Sequence, residues 1–85
     1  LAQEKYSSAA TAYRQAMNAK PNSYLAAFNY AIAVESDDPE NYEQSIKVWS
    51  DFVKKAKGNP KARDKLATAE QHIKELKEAL KASKL

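Results

Sequence analysis

The sequence predicts an all-α fold of four helices joined as antiparallel hairpins. Three observations carry that prediction. The composition is rich in Ala, Lys, Glu, Gln and Leu with a single glycine, and such residues lose little conformational entropy in a helix. Three prolines divide the 85 residues into helix-length segments, each beside a residue suited to a cap or turn. In the last segment, apolar residues recur at alternating spacings of four and three, the mark of a helix buried along one stripe.

Each element follows in order. The first helix is predicted over about 2–19, ending before Lys20-Pro21. Asn22 or Ser23 then caps a second helix over 23–35. Asp38-Pro39 reads as an N-cap followed by proline at the first helical position, starting a third helix over 39–57. Gly58 takes the left-handed conformation that ends it, and Asn59 caps a fourth helix over 60–82. Connections this short make sequential helices antiparallel neighbours.

The chain also repeats itself. Tyr6, Ala9, Ala10, Tyr13, Ala16 and Met17 recur 36 positions later as Tyr42, Ser45, Ile46, Trp49, Phe52 and Val53. A period in this range is the signature of a helical solenoid.

The stretch YSSAATAYRQAMNAKPN, from Tyr6 to Asn22, resembles the second helix of a tetratricopeptide repeat, down to the closing Pro-Asn. SYLAAFNYAIAVES is similar to a first helix, with Ala27, Tyr30, Ala31 and Val34 at the family's packing positions, and NYEQSIKVWSDF supplies its partner. The resemblance covers residues 6–53. It implies one TPR-like domain: residues 1–20 the second helix of an incomplete repeat, 23–57 a full repeat and 60–83 a capping helix. It implies a right-handed solenoid, and makes the chain the C-terminal end of a longer array whose upstream part holds the first helix's hairpin partner. Two departures stand out. The turn SDDPEN is two residues longer than the usual spacing, and Phe52 replaces a small residue, so irregular stacking is expected beyond it.

The fourth helix reads as a cap. Ala62, Leu66, Ala69, Ile73, Leu76 and Leu80 form its single apolar stripe, and Glu70 stands where a further helix would need Gly or Ala. A terminal repeat element needs such a wet outer face. A heptad stripe is also the seam of a coiled coil, which opens a route to self-association.

Chemistry finds little footing in the residues, and no enzyme is expected. There is no cysteine, which removes disulfides and thiolate metal sites and leaves cytoplasm and periplasm equally open. No apolar run approaches the roughly 20 residues that cross a bilayer, and no membrane contact is expected of this segment. His72, the only histidine, has Thr68, Ala69, Glu75 and Leu76 as neighbours by helical spacing, which make neither a metal site nor a triad. Asp37, Asp38 and Glu40 lack the glycine turn of a calcium loop, and capping with helix-dipole stabilisation explains them. No cofactor or metal is expected.

The net charge of +3 is unevenly spread: residues 1–42 carry three basic and five acidic side chains, residues 43–85 eleven and six. Lys54, Lys55, Lys57, Lys61, Arg63 and Lys65 surround Gly58, but no aromatic residue interleaves with them. Stacking platforms for nucleic acid are thereby missing, and a solvated turn is the expected reading. Tyr13, Trp49 and Phe52 are expected in the core.

The second helix is apolar on nearly every side. With Ala27, Tyr30, Ala31 and Val34 assigned to the hairpin core, Leu25, Phe28, Asn29 and Ile32 fall on another face. In tetratricopeptide proteins that face lines the concave groove, and the resemblance implies that an Asn like Asn29 bonds the backbone of a bound peptide. The expected function is protein–protein interaction through these four residues, with a protein or peptide partner. On that reading, Phe28→Glu abolishes capture and leaves the helices intact. Self-association through the same face or the C-terminal stripe is the alternative, and an upstream hairpin is the bland way to cover it.

Overall fold

The computed structural model describes residues 2–19 and 23–84, with side chains described from Ser8 onward, so the Tyr6 side chain, Pro21 and the capping role considered for Asn22 lie outside what is described. The fold is all-helical. Four α-helices are found among the described residues: α1 (Ala2–Ala19), α2 (Tyr24–Asp37), α3 (Tyr42–Ala56) and α4 (Arg63–Ser83), with a 3₁₀ turn at Pro60–Ala62.

Helix ends follow local chemistry. Ser23 caps α2, its side chain accepting from the Ala26 amide at 3.3 Å. Gly58 has φ of +86°, a conformation that costs a side-chain-bearing residue a Cβ clash, and so closes α3. Asn59 accepts from the Lys61 amide at 3.0 Å and opens the 3₁₀ turn that leads into α4.

The start of α3 departs from expectation. It begins at Tyr42, not Pro39, and its cap is Asn41, whose side chain accepts from the Gln44 amide at 3.2 Å. The reason is a competing turn. The Asn41 amide donates to the Asp38 carbonyl at 3.1 Å, closing a β-turn with aspartate first and proline second, the residues that such turns favour in those places. Asp38 is instead the C-cap of α2, and Asp37 lies in that helix's last turn. Both stand at the negative end of the α2 dipole, so dipole stabilisation of α3 by this pair is lost, and Glu43 is the acidic residue of its first turn.

Consecutive helices pack on one another. Antiparallel order shows in the pairs they bring together: Glu43 approaches Lys84 at 4.0 Å at one end of α3, while Val53 and Ile73 share a surface further along. The molecule is thin, with extents of 39 × 32 × 16 Å. Its shortest dimension is that of two helix layers, given interaxial distances of about 8–10 Å and a Cα radius of about 2.3 Å.

The core is built of rings and alanines. Phe52 is fully buried and Trp49 nearly so, with Phe28 edge-on to both at centroid distances of 5.2 and 5.5 Å. Ala27, Ala31, Ala56, Ala62 and Ala69 are buried around them, small enough to let the helices approach. Phe52 is therefore absorbed against α2, and Ala56, Ala62 and Ala69 supply the close approach of α3 to the α4 segment. Tyr13 is half-buried, whereas Trp49 and Phe52 are core as expected. The Ser45 hydroxyl is buried with no partner among the described residues.

The apolar stripe of α4 faces inward. Ala69 and Leu76 are buried, Leu66 and Ile73 pack against the core, and Glu70, Lys74, Lys77 and Glu78 stay exposed on the outer side. From Ala62 to Leu76 the stripe is used within the chain, while half-buried Leu80 lies beside the segment that starts α3.

Candidate functional site

α2 and α4 lie side by side above α3, and Glu35 joins all three. Its Oε1 accepts from Trp49 Nε1 at 2.8 Å and lies 2.6 Å from His72 Nε2, with Oε2 2.9 Å from the same nitrogen. A carboxylate only accepts, so Nε2 carries the hydrogen in this pairing. The His72 ring stands edge-on to Trp49 at 5.2 Å. His72 is thus a boundary residue, as its helical position predicts, but its partner comes from another helix. Sequence spacing could not find Glu35, because the bond joins residues 37 positions apart.

A second contact has the same offset. Lys65 Nζ lies 5.6 Å from the Phe28 ring centroid, again 37 positions along the chain. Two contacts with one offset mean that α2 and α4 run parallel and in register.

Between them opens a groove of about 630 Å³. Phe28, Ile32 and Trp49 supply its apolar floor and one wall; Ala67, Thr68, Gln71, His72 and Glu75 of α4 supply the other. Thr68 donates its hydroxyl to the Asp64 carbonyl at 3.0 Å, which commits it to its own helix. Among the described residues no group of three or more His, Asp or Glu side chains could hold a metal ion. Among the described residues no helix is long and apolar enough to cross a membrane.

The four residues expected to contact a partner divide. Ile32 is 42% exposed and lines the groove. Leu25 is 48% exposed but lies outside the groove lining, as does half-buried Asn29. Phe28 lines the groove and also belongs to the ring cluster, half-buried beneath Lys65. The expectation that Phe28→Glu spares the fold therefore needs correction: it would set a carboxylate against Trp49 and Phe52, where desolvation is costly. Ile32 is the cleaner place to probe the surface.

Around Gly58, Lys54, Lys57, Lys61 and Arg63 are exposed, and Lys55 and Lys65 are half-buried. Comparison with protein-family models, with curated proteins and with solved structures found no match.

Proposed function

We propose that this chain is a protein-binding module built on a TPR-like helical repeat, and that it holds a peptide segment of its partner in the groove between α2 and α4. The observation that carries the proposal is the groove itself, an apolar floor left open between two parallel helices. An apolar concavity edged by a few polar side chains is the kind of surface that most often takes a ligand.

Two periodicities support the repeat. In the sequence, α1 positions recur in α3 after 36 residues; in space, α2 meets α4 at an offset of 37. α2 and α4 then act as successive first helices, α1 and α3 as second helices, and the charged outer face of α4 as the cap. Catalysis is disfavoured because no nucleophile converges on His72: Thr68 is the one hydroxyl side chain in the groove lining, and it is committed to the Asp64 carbonyl.

Self-association is the second reading, favoured by the exposure of Leu25 and Ile32. Two half-exposed side chains are a small part of the roughly 800 Å² per partner that a standard stable interface buries. Light scattering decides it: a mass near 9.5 kDa at all concentrations removes this alternative, and a stable dimer supports it.

The test of the leading reading is selection from a random peptide display library on the folded chain, repeated on Ile32→Asp. Enriched peptides that bind the variant at least about tenfold more weakly, a loss of roughly 1.4 kcal/mol, support the groove. If every enriched peptide binds both proteins alike, the groove is not the site.

A further inference from the structure

We propose that the partner segment presents a large apolar side chain followed by a cation, with arginine preferred. This inference rests on the groove reading above and specifies its ligand. The argument is charge complementarity. α2 contains no lysine or arginine anywhere along Tyr24–Asp37, although the chain as a whole is cationic. Glu75 lines the groove one helical turn beyond His72, and has no hydrogen bond or ion pair among the described residues. Glu35, also one turn from Ile32, keeps its side chain 22% exposed while bonded to Trp49 and His72. A carboxylate has about four lone-pair positions, so Glu35 retains capacity for a further donor.

The two ends of the groove therefore differ. Lys65 covers Phe28 at one end and Glu75 lines the other, with Ile32 and Trp49 between them; Glu35 is outside the lining and is bonded to two of its residues, Trp49 and His72. The lysines of α4's last turns do not relieve this end, because Lys74, Lys77 and Lys81 share the opposite surface with Glu70 and Glu78. An apolar side chain seated over Ile32 and Trp49 places its neighbours one turn, about 5.4 Å, from the acidic end. A residue two positions on in an extended ligand, at about 3.3 Å per residue, or three to four on in a helical one, reaches it. Arginine suits Glu75 because its planar fork meets a carboxylate with two donors at once, and it is desolvated more readily than lysine. An acidic tail meets Glu75 unpaired and is rejected.

The peptides enriched on the folded chain supply the test, read with Glu75→Lys, an exposed position whose change leaves the core intact. The expected result is an Arg or Lys two to four positions from a large apolar residue, with affinity for Glu75→Lys reduced about tenfold and falling as salt is raised. Ile32-dependent peptides that are neutral or acidic, or that bind Glu75→Lys within about twofold, overturn this inference and leave the groove standing. Absence of any Ile32-dependent peptide removes both.

Discussion

Glu35 accepts from the indole of Trp49 and pairs with the imidazole of His72, so one carboxylate ties α2 to both α3 and α4. Removing it leaves two partly buried N–H groups without an acceptor, and water reaches them only in part, since the His72 side chain is 33% exposed. Glu35→Ala is expected to cost about 1–2 kcal/mol. For a domain of this size, each kcal/mol lowers the melting temperature by about 4–8 °C. Glu35→Gln keeps one acceptor oxygen and should lose less. Because Trp49 is the only tryptophan, its emission reports the same bond directly. An unchanged melt and an unchanged spectrum for Glu35→Ala would show that the carboxylate holds nothing together. None of this was readable in the sequence, where Glu35 is one acid among several near a helix end. Which charged residue meets a lone histidine depends on the register of two helices that are not consecutive.

The helices themselves were largely readable, and their ends tested which local rule prevails. Ser23 caps α2, as one of the two residues proposed for it, and Gly58 ends α3 as expected, whereas Asn59 caps the 3₁₀ turn and α4 starts after Ala62 with no side-chain cap. SDDPEN offers two conformational solutions. Asp-Pro suits both a helix start and a β-turn, and here the turn prevails because Asn41, two positions past the proline, is a strong cap in its own right. This assignment has a clean consequence in a pair of variants. Asn41→Ala should cost about 1 kcal/mol through the lost cap bond. Asp38→Ala should stay within about 0.5 kcal/mol of neutral, because it removes an anion from the unfavourable end of α2. Denaturant melts of both variants would decide the matter, and a larger loss at Asp38 would return the cap to the position the sequence first suggests. The stripe of α4 was equally legible, since a 3–4 apolar spacing on a helix with no other apolar face has one way to be buried.

Across the whole chain, the readable part is the pattern and the unreadable part is the sharing of residues between core and surface. The two-sided character of α2 correctly identifies a helix used on more than one face. It does not reveal that Phe28 serves both, packed against Trp49 and Phe52 on one side and lining the groove on the other. Nor does it separate Ile32, which lines the groove, from Leu25 and Asn29, which do not. Those distinctions depend on how far α4 leans over α2, a property of the α3–α4 approach at Ala56, Ala62 and Ala69 more than of α2. With the register of α2 and α4 fixed by two contacts of equal offset, the groove becomes a feature of the assembled layers, and a ligand there must touch residues from three helices at once. The most direct measurement is therefore an amide-resolved NMR titration of the ¹⁵N-labelled chain with the most strongly enriched peptide. The expected shifts fall on Ile32, Thr68, Gln71 and the indole N–H of Trp49, with Glu75 at the acidic end. Shifts confined to α1 or to the basic turn around Gly58, with the Trp49 indole unmoved, would contradict binding in the groove.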